Sequence, residues 1–298
     1  LEDYIRNRIL LFNKANSIQK LNKGFSFDEK YVVDDQYLIR LFPITDIEHR
    51  RTEFNNINKL AAYSEVIPKA IAFNQLKEKE IGYMILTFLP GKDGENALKD
   101  LSQQEQYDAG FQAGIELRKL HEMPAPLGYP SWNQVKKRKN DRYMEEFKKL
   151  QIDYPLKTLL EAYIRKNEHL MQNRPNTFQH DDFHPANLLI HNNVFSGIID
   201  FQRIDWGDPI HDLHKLGFFS KRVSIPFTRG IISGYHKHTN PDKGFWDLYG
   251  LYSAMHIVSA LVWGKKLGIE TYNRMLNYSL DVIRDHRNFE RNIPEWYK

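Results

Sequence analysis

The chain changes texture at Pro90-Gly91, and this change constrains its fold more than any other feature. Before that point, short runs of β-branched and aromatic residues alternate with polar turns. Ile18–Leu21 and Phe27–Val33 flank Asn22-Lys23-Gly24, and Tyr37–Phe42 follows Asp34-Asp35-Gln36. Ile67–Phe73 and Ile81–Phe88 flank the charged turn Lys77-Glu78-Lys79-Glu80. Each run has the length and composition of a strand. Glu48–Ala62 differs, because its polar-to-apolar pattern is helical. The pattern predicts a five-stranded antiparallel sheet with one inserted helix.

After Gly91 the pattern turns helical. Ser102 with Glu105 three residues on matches a capping box, and Tyr107, Phe111 and Ile115 continue as an apolar stripe. Further helices are expected over Asp141–Leu150, Pro155–Gln172, Phe245–Leu267 and Glu270–Arg287, and from His211 onward. One strand pair, Leu188–Ile190 and Phe195–Ile199, interrupts them. The expected fold class is α+β. A small sheet-rich lobe occupies residues 1–89, and a larger, mainly helical lobe occupies 90–298. The hinge between them is the favoured place for a ligand cleft.

Composition narrows the chemistry. The 298 residues include no cysteine, which excludes disulfides, thiolate metal sites, iron–sulfur clusters and cysteine nucleophiles. No apolar run approaches the ~18 residues of a membrane span. The first residues, Leu1 to Arg8, carry charges where a signal peptide would be apolar. A soluble, cytoplasmic protein without a membrane partner is expected, and the missing initiator Met suggests a trimmed or incomplete start. Lys and Arg number 42 against 38 Asp and Glu, a formal charge of +4. The densest basic run, Lys136-Lys137-Arg138-Lys139, reads as a solvated loop or helix start, so no nucleic-acid partner is expected.

The densest polar cluster is His180-Asp181-Asp182-Phe183-His184-Pro185-Ala186-Asn187. Apolar runs follow it on both sides of His191-Asn192-Asn193, and the second ends at Asp200. In a hairpin centred at 193–194, Asn187 and Asp200 would lie side by side at the open end. An amide oxygen and a carboxylate there form a hard, oxygen-only cation site suited to Mg²⁺. Asp182, on the loop entering the hairpin, could hold and deprotonate a hydroxyl. The same residues also fit a polar loop whose side chains cap turns. A zinc site at His180 and His184 is disfavoured, because Pro185 opposes a helical conformation at His184.

His180-x-Asp182-x-His184-x-x-Asn187, then Ile199-Asp200-Phe201, then Gly207-Asp208-Pro209-x-x-Asp212-Leu213 resembles the aminoglycoside phosphotransferase family, which has a protein-kinase-like fold. The resemblance runs from about Ile18 to Asp285 and is strongest between Phe178 and Gly217. It implies that Asp182 is the catalytic aspartate and that Asn187 and Asp200 hold Mg²⁺, with ATP or GTP as phosphate donor. Asp181 departs from the family, which usually has Gly there. Arg40 stands where protein kinases have Lys, on the cleft face of its strand, and Glu53 on the next helix is its expected partner. The alternative is that Glu53 pairs with Arg50 or Arg51 at the surface. Ser26, in the turn after Gly24, would serve phosphate oxygens, and the Thr87 carbonyl and Leu89 N–H would meet the base. Asp208, Asp212 and His180 read as structural, with Asp208 as an N-cap and Pro209 at the first helical position.

The resemblance implies an acceptor that is a small molecule with a hydroxyl, an aminoglycoside-type antibiotic first among them. Macrolides, choline, homoserine and sugar-like metabolites are alternative acceptors; a protein kinase is the nearest rival reading, and a non-catalytic nucleotide-binding protein is the rival from another class. The few residues between Asp200 and Gly207 leave little room for a peptide-docking activation loop. Residues 201–298 carry 14 Lys and Arg against 10 Asp and Glu, so this region is not acidic overall. Its aromatic residues, from Phe218 to Trp263, read as helix core rather than as stacking platforms.

Overall fold

The computed structural model describes residues 2–9, 12–22 and 28–298. A short helix α1 (Glu2–Arg8) precedes strands β1 (Ile18–Lys20), β2 (Glu29–Val33) and β3 (Tyr37–Pro43), then helix α2 (Ile47–Leu60) and strands β4 (Ala70–Leu76) and β5 (Ile81–Thr87). The five strands form one antiparallel sheet in the order β1-β2-β3-β5-β4. Strand β4 starts three residues later than expected at Ile67. Pro68 has no N–H to give a ladder, and Ile67 is buried before the strand begins.

Alternation along β3 separates two packed faces. Ile39 and Leu41 join Tyr31, Val33, Tyr83, Ile85 and Phe12 in a core of the sheet's own. Phe42, with Met84, Leu86 and the α2 residues Ile57 and Leu60, belongs to the core that continues through the helical part of the chain. Arg40 lies on this second face and is buried there. The sheet's inner face is therefore continuous with the larger lobe, and the buried charge of Arg40 there needs partners.

Beyond the sheet come β6 (Lys92–Asp93), α3 (Gly94–Ala97), α4 (Gln103–Leu120), α5 (Trp132–Lys148), α6 (Tyr154–Asn167), β7 (Thr177–Gln179), β8 (Leu188–His191), β9 (Val194–Ile198) and β10 (Asp205–Gly207). The chain continues as α7 (Ile210–Leu213), α8 (Lys221–Val223), α9 (Ile225–Tyr235), α10 (Lys243–Leu267) and α11 (Ile269–Asp285). The capping box at Ser102 and Glu105 forms in both directions. Helix α5 begins nine residues earlier than expected at Asp141, so the basic run lies inside it. Trp132, Asn140, Met144 and Phe147 mark its buried face, and Lys136 lies four residues from both Trp132 and Asn140 on that face. Among the described residues, no helix is long and apolar enough to cross a membrane.

Helices α4 and α9 approach backbone to backbone. A Cβ at Gly114 would press into the carbonyl oxygen of Ile231, and one at Gly234 into that of Phe111. This packing places the helix ends. His121, just past α4, receives the Tyr235 hydroxyl of α9 at its Nδ1, 2.8 Å away. Gly114→Ala is expected to cost ~1–3 kcal/mol or more, because a backbone oxygen cannot yield as a side chain can. Urea denaturation measures it; unchanged stability would mean the two helices can separate without loss.

Candidate active site

Strand β7 delivers the polar cluster to the junction with the β8–β9 hairpin. After it, Asp181 takes a left-handed conformation (φ 53). His184 is extended (φ −153, ψ 166), as a residue before proline should be, and Pro185–Asn187 form one 3-10 turn. The hairpin register differs from expectation. Asn192 and Asn193 are both left-handed (φ 51 and 63) and make the tight turn, with His191 opposite Val194. A bulge between Leu189 and Ile190 then sets Leu188 opposite Ile198. The Ile199 N–H donates to the Asn187 carbonyl at 2.9 Å, so Asn187 faces Ile199, not Asp200. Asp200 follows in a left-handed conformation (φ 66, ψ 69), which Asp tolerates better than most residues. Both residues still lie at the hairpin's open end.

Asp182 is tied into this turn. The Asn187 side-chain amide donates to its carbonyl oxygen at 2.9 Å. Its carboxylate has Lys215 Nζ at 3.0 Å, His184 Nε2 at 3.5 Å and Arg203 Nε at 3.7 Å. Burial pushes this carboxyl up, but the His184 hydrogen bond and the charges of Lys215, His184 and Arg203 outweigh it and hold it well below the usual range. The group is a carboxylate at any ordinary pH.

Asp212 organises the loop from behind. Its carboxylate accepts the N–H groups of His180 (2.7 Å) and Asp181 (2.8 Å) and the His121 ring at 3.1 Å. Burial opposes its charge; the His121 hydrogen bond and the neighbouring histidines reverse that and lower its pKa. His180 is fully buried and spans from the Ile199 carbonyl at Nε2 (3.0 Å) to the Asp182 N–H at Nδ1 (3.3 Å). Burial keeps its pKa low, so it stays neutral and both ring nitrogens serve the loop. Asp208 accepts two hydrogen bonds from Arg174 (2.6 and 3.0 Å) and one from the Tyr252 hydroxyl (2.7 Å). Pro209, not Asp208, stands at the cap of α7, and Asp208 instead accepts the Ile210 N–H.

The sheet contributes a second charged cluster. Arg40 Nη1 reaches Glu53 Oε1 at 2.5 Å. The surface alternative for Glu53 also occurs, but buried: Arg50 Nη1 lies 3.1 Å from Glu53 Oε2. Asp28 closes the set, 2.5 Å from both Arg40 and Arg50. All four side chains are less than a tenth exposed. Burial works against the Arg40 charge, and Glu53 and Asp28 overcome it and raise its pKa. Lys30, paired across the sheet with Arg40, shares the face and feels the charge of Asp200. Ser26 lies outside the described residues. Thr87 ends β5, its hydroxyl accepting the Lys69 N–H at 2.8 Å, and the Phe88 N–H goes to the Gln36 carbonyl. Leu89 follows, half-buried, against the hairpin at Gly197.

The family described as "Phosphotransferase enzyme family" matches residues 17–249. The chain belongs to it. It is a phosphotransferase, and the resemblance to aminoglycoside phosphotransferases read from its motifs holds. No curated protein matches the chain significantly. Among solved structures, the GDP complex of aminoglycoside 2'-phosphotransferase-IIIa is 17% identical with a TM-score of 0.70, over 94% of this chain and 97% of that one. The gentamicin complex of APH(2")-IIa is 18% identical with a TM-score of 0.65, over 94% of each chain. An apo thermostable mutant of APH(4)-Ia is 14% identical with a TM-score of 0.68, over 95% of this chain and 98% of that one. These likenesses show that the phosphotransferase has the kinase-like fold.

Sequence reasoning missed Asp28 and Arg50 as part of the Arg40 cluster and missed Lys215 altogether, and it took Lys136 as part of a solvated run. Lys215 follows the Asp212-Leu213 motif by two residues, which could have flagged it. Most of the aromatic residues after Phe201 are core as expected: Phe218, Phe227, Phe245, Trp246, Tyr249 and Tyr252 are buried and Phe219 and Tyr235 half-buried, but Trp263 is exposed and departs from that expectation.

Proposed function

We propose that this phosphotransferase moves the terminal phosphate of ATP or GTP to a hydroxyl of a small molecule. The observation that carries the reading is the Asp182–Asn187 turn, with Asp182 held as a carboxylate where Asp200 ends the hairpin. Asp182 orients the acceptor hydroxyl and takes its proton. The acceptor oxygen–phosphorus bond forms, the bridging bond to the terminal phosphorus breaks, and the nucleoside diphosphate leaves.

Asn187 and Asp200 fit Mg²⁺. The Asn187 nitrogen is engaged with Asp182, which leaves its amide oxygen for a cation, and Asp200 adds a second hard oxygen donor. Such an ion would neutralise charge on the phosphates. Arg40, braced by Glu53, serves the phosphates from the sheet, Ser26 serves them from the turn, and Thr87 and Leu89 meet the base. The division of labour falls at residue 89: nucleotide before it, chemistry and acceptor after it. A cytoplasmic setting suits a reaction that draws on the nucleotide pool.

An aminoglycoside-type antibiotic is the first named acceptor to test, since gentamicin and hygromycin B occur in complexes of the structural neighbours. Its phosphorylation would confer antibiotic resistance. The nucleotide half is tested by thermal shift. ATP or GTP should raise the melting temperature modestly alone and more with millimolar Mg²⁺, by binding linkage. No response to either nucleotide with Mg²⁺ contradicts the reading, and equal responses to zinc and magnesium point to the histidines instead.

A further inference from the structure

The segment that carries Asp212 also carries a buried ammonium, Lys215, whose side chain is 6% exposed. His214 and Lys215 continue α7 with right-handed helical backbone (φ −61 and −67), so Lys215 stands one turn beyond Asp212 on the same face. The two side chains grip one stretch of loop. Asp212 accepts the N–H groups of His180 and Asp181. Lys215 donates to the Asp181 carbonyl and, at 3.0 Å, to Asp182 Oδ1. Asp181, left-handed at φ 53, is thereby held at both its N–H and its carbonyl, and Asp182 is held at its side chain.

The two oxygens of the Asp182 carboxylate are unequal as a result. Oδ1 faces Lys215 at 3.0 Å and His184 Nε2 at 3.5 Å. Oδ2 has looser neighbours, the Asn187 amide at 3.4 Å and the exposed Arg203 at 3.7 Å. Packing does not explain an ammonium at this place. Burial first, and then cations that include Lys215, keep the nearby His211, His214 and His256 from charging. Burying a charge beside them costs free energy that an apolar side chain of the same length would not. What compensates Lys215 is the Asp181 carbonyl and the Asp182 carboxylate, so its cost is tied to the base.

We propose that Lys215 is a positioning residue for phosphoryl transfer: it fixes Asp182 Oδ1, so that Oδ2 is presented to the acceptor hydroxyl and takes its proton. This rests on the reading of Asp182 as the base and deepens it. The hydroxyl O–H bond breaks toward Oδ2 as the acceptor oxygen bonds to phosphorus and the nucleoside diphosphate leaves. Lys215 acts through Asp182. Without it the carboxylate can turn about its side-chain bonds, and a misplacement of about 1 Å costs about 10²-fold in rate.

The test first screens the wild type with Mg-ATP and Mg-GTP on gentamicin, kanamycin, hygromycin B, glucose, homoserine and water. On an acceptor so found, Lys215→Met should lower kcat about 10²-fold, with acceptor KM and Mg-AMP-PNP affinity within about twofold of the wild type. The chain has no cysteine, so Lys215→Cys carries a single thiol. It is alkylated in urea and returned to buffer beside wild type treated alike, with mass spectrometry confirming each adduct. 2-Bromoethylamine restores an ammonium at lysine length, and 1-iodopropane gives a neutral chain of that length. The aminoethyl adduct should turn over about tenfold or more faster than the propyl adduct. The proposal is overturned by a kcat of Lys215→Met within about threefold of wild type, by nucleotide affinity falling in step with kcat, or by two adducts of equal activity. Asp182→Asn is assayed alongside. If it keeps wild-type turnover, or if the wild type phosphorylates no acceptor and hydrolyses no nucleotide, the base reading falls and this proposal with it. If Asp182→Asn is inactive and Lys215→Met is not, the Lys215 assignment alone falls.

Discussion

Asp182→Asn is expected to lower kcat by ~10²–10⁴-fold while leaving Mg-nucleotide affinity near the wild-type value. The substitution keeps the shape of the side chain and a contact to a hydroxyl, but removes the ability to take a proton. Asp182 reaches the proposed metal ligands only through the Asn187 amide, which donates mainly to its backbone carbonyl, so nucleotide binding should survive. The depressed pKa fixes the sign of the pH dependence. A carboxyl held well below the usual range by His184, Lys215 and Arg203 against the pull of burial stays ionised throughout neutral and mildly acidic solution. Activity should therefore show no acid limb from Asp182 in that range. A carboxylate so stabilised is a weak base in the ground state. It suits a loose phosphoryl transfer, in which the hydroxyl gives up its proton late, as the oxygen–phosphorus bond forms.

Breaking the buried four-charge cluster should have the largest effect on stability. Arg40→Met removes one of the two arginines that face Asp28 and Glu53 and leaves the cluster one positive charge short at a site less than a tenth exposed. Removing one partner of a buried pair costs about 3–5 kcal/mol. Glu53→Gln leaves the opposite excess and should cost a similar amount. The double substitution restores balance between Arg50 and Asp28, so its cost should fall well below the sum of the singles. Urea denaturation of the cycle reads the coupling, and nucleotide titration of the same variants should show affinity falling with either single change. Additive losses would mean that Arg40 and Glu53 act separately.

The sheet was legible because each of its strands is a short apolar run between polar turns, and the catalytic-type loop because its residues sit at family spacing. What escaped was decided by tertiary geometry. Pairing by count from the turn centre set Asn187 against Asp200, and the bulge at Leu189 with the left-handed Asn192-Asn193 turn moved the pairing by one. Glu53 was assigned one partner, whereas burial of two arginines and two carboxylates together leaves no partner exclusive. Lys136 was read as solvated because the helix was begun at Asp141. Begun at Trp132, the same residues place Lys136 on the buried face four residues on, within reach of His211. Charge alone misled there, and helical phase would have corrected it.

The central claim is that one aspartate does chemistry and another holds the metal. Calorimetric titration of Mg-nucleotide into the wild type, Asp182→Asn and Asp200→Asn, beside turnover of the same three proteins with an identified acceptor, tests it most directly. Asp182→Asn should bind Mg-nucleotide like the wild type and turn over poorly. Asp200→Asn should lose both affinity and turnover, with partial rescue by high Mg²⁺ or by Mn²⁺. Near wild-type turnover by Asp182→Asn, or wild-type Mg-nucleotide affinity in Asp200→Asn, would contradict the account.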